Sequence, residues 1–156
     1  MADSTPSSNA PVSVSSHVEQ VWATKITTSQ PYNILIPTIK LVSATSDGRV
    51  IGQLVLEDKH VNSLGGIHGT TSAAIVDFTA GMSIVAKSGG HKTGVSTDIH
   101  ISYVASAKVG DTVEVECWLN KLGRNLAYTS IEIRKLAKAG EDKKVLVTGS
   151  HTKYVA

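Results

Sequence analysis

Between Gly69 and Lys87 the chain runs Gly-Thr-Thr-Ser-Ala-Ala-Ile-Val-Asp-Phe-Thr-Ala-Gly-Met-Ser-Ile-Val-Ala-Lys, with one carboxylate, Asp77, in its middle. The length suits a helix of about five turns. Residues are apolar or small on nearly every side, and a helix apolar all round belongs inside a larger core. Gly89-Gly90 marks its end, and Lys87 complements the negative pole of the helix dipole. One buried helix needs a layer that wraps around it, so this segment dictates what the rest of the chain must do.

The rest reads as strands. Thr38–Thr45 and Arg49–Glu57 flank the turn signal Ser46-Asp47-Gly48. After the helix, Gly94–Val104, Thr112–Lys121, Leu126–Lys135 and Lys144–Tyr154 have β-type composition. They are joined by short polar turns at Val109-Gly110-Asp111, Leu122-Gly123-Arg124-Asn125 and Ala139-Gly140-Glu141. A short helix is expected near Ser16–Thr24, with Pro31 and Pro37 punctuating the connection that follows. The order β-β, buried helix, β-β-β-β predicts an α+β hot-dog fold: an antiparallel sheet wrapped around one long central helix. The outer face of such a sheet must be solvated or covered by another subunit.

The chain has 156 residues, the size of one domain, and 41% are apolar, enough for a core. Residues 1–15 are rich in Ser, Pro and Ala and are expected to form a disordered tail before a single domain at 16–156. The tail has Asp3 and neither Lys nor Arg, and it lacks the apolar stretch of a secretory signal. No segment reaches the ~18 apolar residues of a membrane span. The expected location is intracellular, cytoplasmic or mitochondrial. A net charge of +2 does not point to nucleic acid. The single cysteine, Cys117, shares a strand face with Val113, Val115 and Leu119 and is expected to be an inert buried thiol.

Asp77 is the odd residue of the helix. A carboxylate flanked by Val76 and Phe78 is costly to bury unless it is paired or working. Burial alone would raise its pKa and suit it to act as a base near neutrality; the plain alternative is a polar seam with Thr70 and Gly81. His68-Gly69 stands where the helix starts. Backbone N–H groups there are unpaired and can stabilise an oxyanion, and a glycine lets a ligand come close. Eight residues of helix separate Gly69 from Asp77 by roughly 12 Å. A base and an oxyanion hole must both lie within about 3 Å of the reacting group. If both are catalytic, a second chain must bring its Asp77 to this chain's Gly69, as two antiparallel helices across a two-fold axis would. Asn62, in the loop before the helix, and Ser96, opening the next strand, are secondary candidates. Gly-x-Ser-x-Gly and P-loop motifs are missing. The six histidines, His17, His60, His68, His91, His100 and His151, lack metal-ligand spacing.

The run His60-Val-Asn62-Ser-Leu-Gly-Gly-Ile-His68-Gly69, then Asp77, then Gly94-Val-Ser96-Thr-Asp98, resembles the PaaI-type hot-dog thioesterases, and among them the eukaryotic acyl-CoA thioesterases. Tyr103-Val-Ala-Ser-Ala-Lys108-Val-Gly-Asp111, Gly123-Arg124-Asn-Leu-Ala127 and His151-Thr152-Lys153 extend the likeness over residues 38–155. The resemblance implies hydrolysis of acyl-CoA, with no cofactor beyond the coenzyme A of the substrate. Gly69 would offer its N–H to the thioester carbonyl, and Asn62 and His68 would shape that pocket. Asp77 of the partner chain would be base or nucleophile, and Ser96 would position water. Lys121, Arg124 and Lys153 are the expected coenzyme A phosphate contacts, and a homodimer, assembled further into a homotetramer, is the expected state. The family commonly has His-Gly-Gly where this chain has His68-Gly69-Thr70. That departure leaves an inactive acyl-CoA-binding module as one alternative; a hydratase or dehydratase acting on β-hydroxyacyl thioesters is the other.

Overall fold

The computed structural model describes residues 13–137 and 143–156. The expected tail lies outside them except for Ser13, Val14 and Ser15. Ser13 caps the first helix, α1 (Val14–Thr28), accepting a hydrogen bond on its Oγ from the Ser16 N–H at 3.2 Å. The helix therefore starts earlier than its sequence pattern indicated and runs four residues further. A second short helix, α2 (Gln30–Leu35), follows at once. It stands where Pro31 was expected to mark only a connection. Pro31 instead occupies the first turn of α2, where a missing N–H costs nothing.

The strands are β1 (Lys40–Ala44), β2 (Val50–Val55), β3 (Val95–Tyr103), β4 (Thr112–Leu122), β5 (Leu126–Lys135) and β6 (Lys144–Tyr154). They form one antiparallel sheet in the order β1-β2-β4-β5-β6-β3. The long helix, α3 (Gly69–Ser88), lies across its inner face and ends at Gly89, whose φ of 67° is the left-handed conformation glycine adopts freely. This is the hot-dog arrangement.

The alternation in β4 holds: Val113, Val115 and Cys117 point into the core, all under 3% exposed. Burial pushes the Cys117 thiol up to about 12, so it stays protonated and inert. Glu114 and Glu116 on the outer face are also covered. Glu116 accepts from Arg49 and Arg134, and Glu114 from Gln53 and Lys143.

The second face of α3 is closed by α1. Val18, Val21, Trp22 and Ile26 are buried there. The Trp22 ring meets Phe78 edge-on at 4.6 Å, and its Nε1 donates to the Ile39 carbonyl at 3.1 Å. Helix α3 is thus sandwiched between the sheet and α1, which is why its sequence can be apolar on every side. Tyr32 of α2 packs on the same Phe78, ring centroids 5.1 Å apart. The last strand in the order, β3, is different: eight of its nine residues are exposed. It pairs with β6 on one side, and among the described residues its other edge is unpaired.

Candidate active site

The polar groups gather at two levels of α3. The first is its N-terminus. His68 is the N-cap, and its Nδ1 accepts from the Thr70 N–H at 3.0 Å. Thr70 is exposed, and its N–H is consumed by this cap. The Gly69 N–H has no acceptor among the described residues. The loop before the helix is pinned by the Asn62 side chain. Its Oδ1 accepts from the N–H groups of Leu64 (2.9 Å) and Gly66 (3.2 Å), which leaves Nδ2 as the donor available to a ligand. The Tyr103 hydroxyl, from the end of β3, donates to the Gly69 carbonyl at 3.2 Å. A β-carbon on Gly69 would stand 3.3–3.5 Å from the Tyr103 ring and hydroxyl.

The second level, two turns on, is Asp77. Its Oδ1 accepts from Lys153 Nζ at 2.9 Å and from Ser96 Oγ at 3.1 Å, and its Oδ2 accepts from the Tyr32 hydroxyl at 2.7 Å. The plain alternative of a seam with Thr70 and Gly81 is therefore not what satisfies it. The expected rise in its pKa is also reversed. Burial does push the carboxyl upward, but the Lys153 ammonium and its hydrogen bond, with the Tyr32 hydroxyl, outweigh that and hold it below the usual carboxylate range. The group is therefore fully ionised at neutral pH.

Lys153, expected among the phosphate contacts, is 4% exposed and engaged by Asp77. Its ammonium is turned toward α3 and held there by Asp77 rather than standing on an exposed surface. Tyr32 was not singled out by sequence; only the first-turn proline of α2 signalled that a helix would set it.

His151 completes this level. It is fully buried, and neither ring nitrogen has a hydrogen-bond partner among the described residues. Its Nε2 lies 3.7 Å from Asp77 Oδ1. Burial, then the Lys153 charge, push its pKa down to about 4, so the ring is neutral at pH 7 and the contact is not an ion pair.

The two levels are joined by β3, which runs beside α3 in the opposite direction. Its Ser96 end reaches Asp77 and its Tyr103 end reaches Gly69. Both levels lie on one regular helix, about 12 Å apart by helical rise. Arg124 and Lys121 are elsewhere and exposed. Arg124 borders a cleft of about 450 Å³ with His91, Lys92 and Leu122.

A wrapped central helix, an open N–H at its start and an anchored carboxylate in its middle define a hot-dog protein with polar sites on the helix. The family model described as thioesterase superfamily matches residues 64–140. Human acyl-coenzyme A thioesterase 13 is 32% identical over 130 residues, covering 83% of this chain and 89% of that protein. The crystal structure of zebrafish thioesterase superfamily member 2 superposes with a TM-score of 0.78 at 27% identity, covering 89% of this chain and 96% of that one. The Mus musculus thioesterase superfamily member 2 structure gives 0.78 at 26% identity, covering 93% and 99%. The chain belongs to the thioesterase superfamily.

Proposed function

We propose that this protein hydrolyses acyl-CoA thioesters to the free acid and coenzyme A, at a site shared between two subunits. The family and the name carried by its human relative support the reaction. The observation that carries the shared site is the separation of the open Gly69 N–H from the ionised Asp77 along one helix.

The unpaired edge of β3 offers the way to bring them together. An antiparallel pairing of β3 with its own copy, about a two-fold axis near Ile99–His100, sets the Ser96 end of one strand opposite the Tyr103 end of the other. Asp77 of one subunit then approaches Gly69 of the next, twice per dimer. Val95, Ile99, Tyr103 and Val104, between 40% and 69% exposed, are the apolar area this pairing would cover. Pairing of two such dimers into a tetramer is the further assembly the family likeness suggests.

In this site the Gly69 N–H donates to the thioester carbonyl and to the oxyanion that forms from it. Asn62, whose Oδ1 pins the loop, offers Nδ2 to that oxygen, and the His68 cap fixes the helix entry beside it. Asp77 supplies the carboxylate, as base for an incoming water held by Ser96 or as direct nucleophile. In the base route, the water oxygen bonds to the carbonyl carbon and its proton passes to Asp77. The tetrahedral species then expels the coenzyme A sulfur, which takes a proton back. The coenzyme A phosphates fall to exposed cations, Arg124 and Lys121.

The first test is release of free thiol from a panel of acyl-CoAs, acetyl to palmitoyl and phenylacetyl. Thiol release is expected from at least one; binding of coenzyme A with no release from any would sink the hydrolase reading. The shared site has its own test. Gly69→Val, whose side chain meets the Tyr103 ring, and Asp77→Asn are each expected to be nearly inactive. Unfolded and refolded together in equal amounts, they should recover about a quarter of wild-type activity, because half the dimers then hold one intact site. No recovery in a mixture that forms dimers would place the site within one chain.

A further inference from the structure

Tyr32 lies outside the residues the family model matches, on a helix that only a proline announces. Lys153 and Ser96 both hold Oδ1 of Asp77, and two donors on one oxygen leave the carboxylate free to swing about that oxygen. The terminal torsion of an aspartate is broad, so nothing intrinsic stops that swing. Among the described residues Tyr32 is the one donor to Oδ2, and its own ring is held edge-on by Phe78. We propose that Tyr32 is a positioning residue of the reaction, locking the Asp77 carboxylate plane through Oδ2 so that Oδ1 stays beside Ser96. The proposal rests on Asp77 being the catalytic carboxylate.

The groups facing Asp77 are Tyr32 from α2, Ser96 from β3, and His151 and Lys153 from β6. Lys25 of α1 and Thr93 line the same small cavity of about 20 Å³. Of these, the Tyr32 hydroxyl can be removed without altering a charge or a packed ring. Tyr32→Phe keeps the contact with Phe78 and deletes only the donor. A hydroxyl donating to a carboxylate favours the ionised form, so its loss raises the pH at which Asp77 ionises.

The test compares wild type, Tyr32→Phe and Asp77→Asn across pH on the best acyl-CoA. Tyr32→Phe is expected to lower kcat about tenfold with KM unchanged. The acidic limb of its profile should move to higher pH. A Tyr32 that only packs would leave both unmoved, and an unchanged kcat and profile beside an inactive Asp77→Asn would overturn the positioning role while leaving the hydrolase reading intact. Wild-type turnover in Asp77→Asn would remove Asp77 from the mechanism, and the positioning role of Tyr32 with it.

Discussion

Asp77→Asn should lose about a thousandfold in acyl-CoA turnover and, unlike a substitution on a solvated helix face, should also lose stability. The reason is Lys153. Its ammonium is almost fully buried and donates to Asp77 Oδ1. An amide in place of the carboxylate leaves that charge without a counter-ion, and removing one member of a buried pair is strongly destabilising. Asp77 itself is 30% exposed, so solvent reduces the cost to about 2 kcal/mol. A second variant separates folding from chemistry. Lys153→Met combined with Asp77→Asn removes the orphaned charge at similar volume and should regain most of the lost stability, read as the urea midpoint. Turnover in the double variant should stay lost. A single Asp77→Asn that turned over near the wild-type rate would remove Asp77 from the mechanism.

Acid should weaken the fold from just below neutrality, and His151 is the main reason; burial lowers the pKa of His60 as well, which acts in the same direction. The unfolded chain protonates this ring near its ordinary pKa of 6.5, while the folded chain keeps it neutral down to about 4. Between those values the unfolded state binds the extra proton, so stability is complete above pH 6.5 and falls as pH drops toward 4. The difference corresponds to about 3 kcal/mol. Asp77 acts in a lower window. Its folded pKa is depressed, so its contribution is intact above the usual carboxylate range and disappears only below about pH 4. Urea midpoints from pH 7.5 to 4.5 should show the loss, and His151→Gln, which cannot titrate, should reduce it. Equal slopes in wild type and variant would show that His151 is not the group responsible.

How much of this was legible in the sequence depends on how local each signal is. The span of α3, its glycine stop and its all-round apolar surface were readable because helical periodicity and capping are short-range. The inward face of β4 was readable because strand alternation has a fixed period of two. The isolation of Gly69 from Asp77 followed from helical rise alone. Helix α2 escaped because a proline reads equally as a break or as a first-turn residue, and only the packing of Tyr32 on Phe78 decides between them.

The ionisation of Asp77 was misjudged for a different reason. The sequence shows burial from the neighbours in the chain, Val76 and Phe78, but not the charge that burial brings close. Lys153 is 76 residues away, and β6 delivers it because β3 and β5 both pair with that strand. A lysine near the end of a chain reads as solvated surface, and here it is a buried counter-ion. The sequence by itself determined most of the elements that form and which residues stand as candidates for chemistry, since those follow from local periodicity and residue type. Only the tertiary structure decided which of those residues meet, and therefore their charge states, because strand order and long-range Coulomb contacts leave no mark on local pattern.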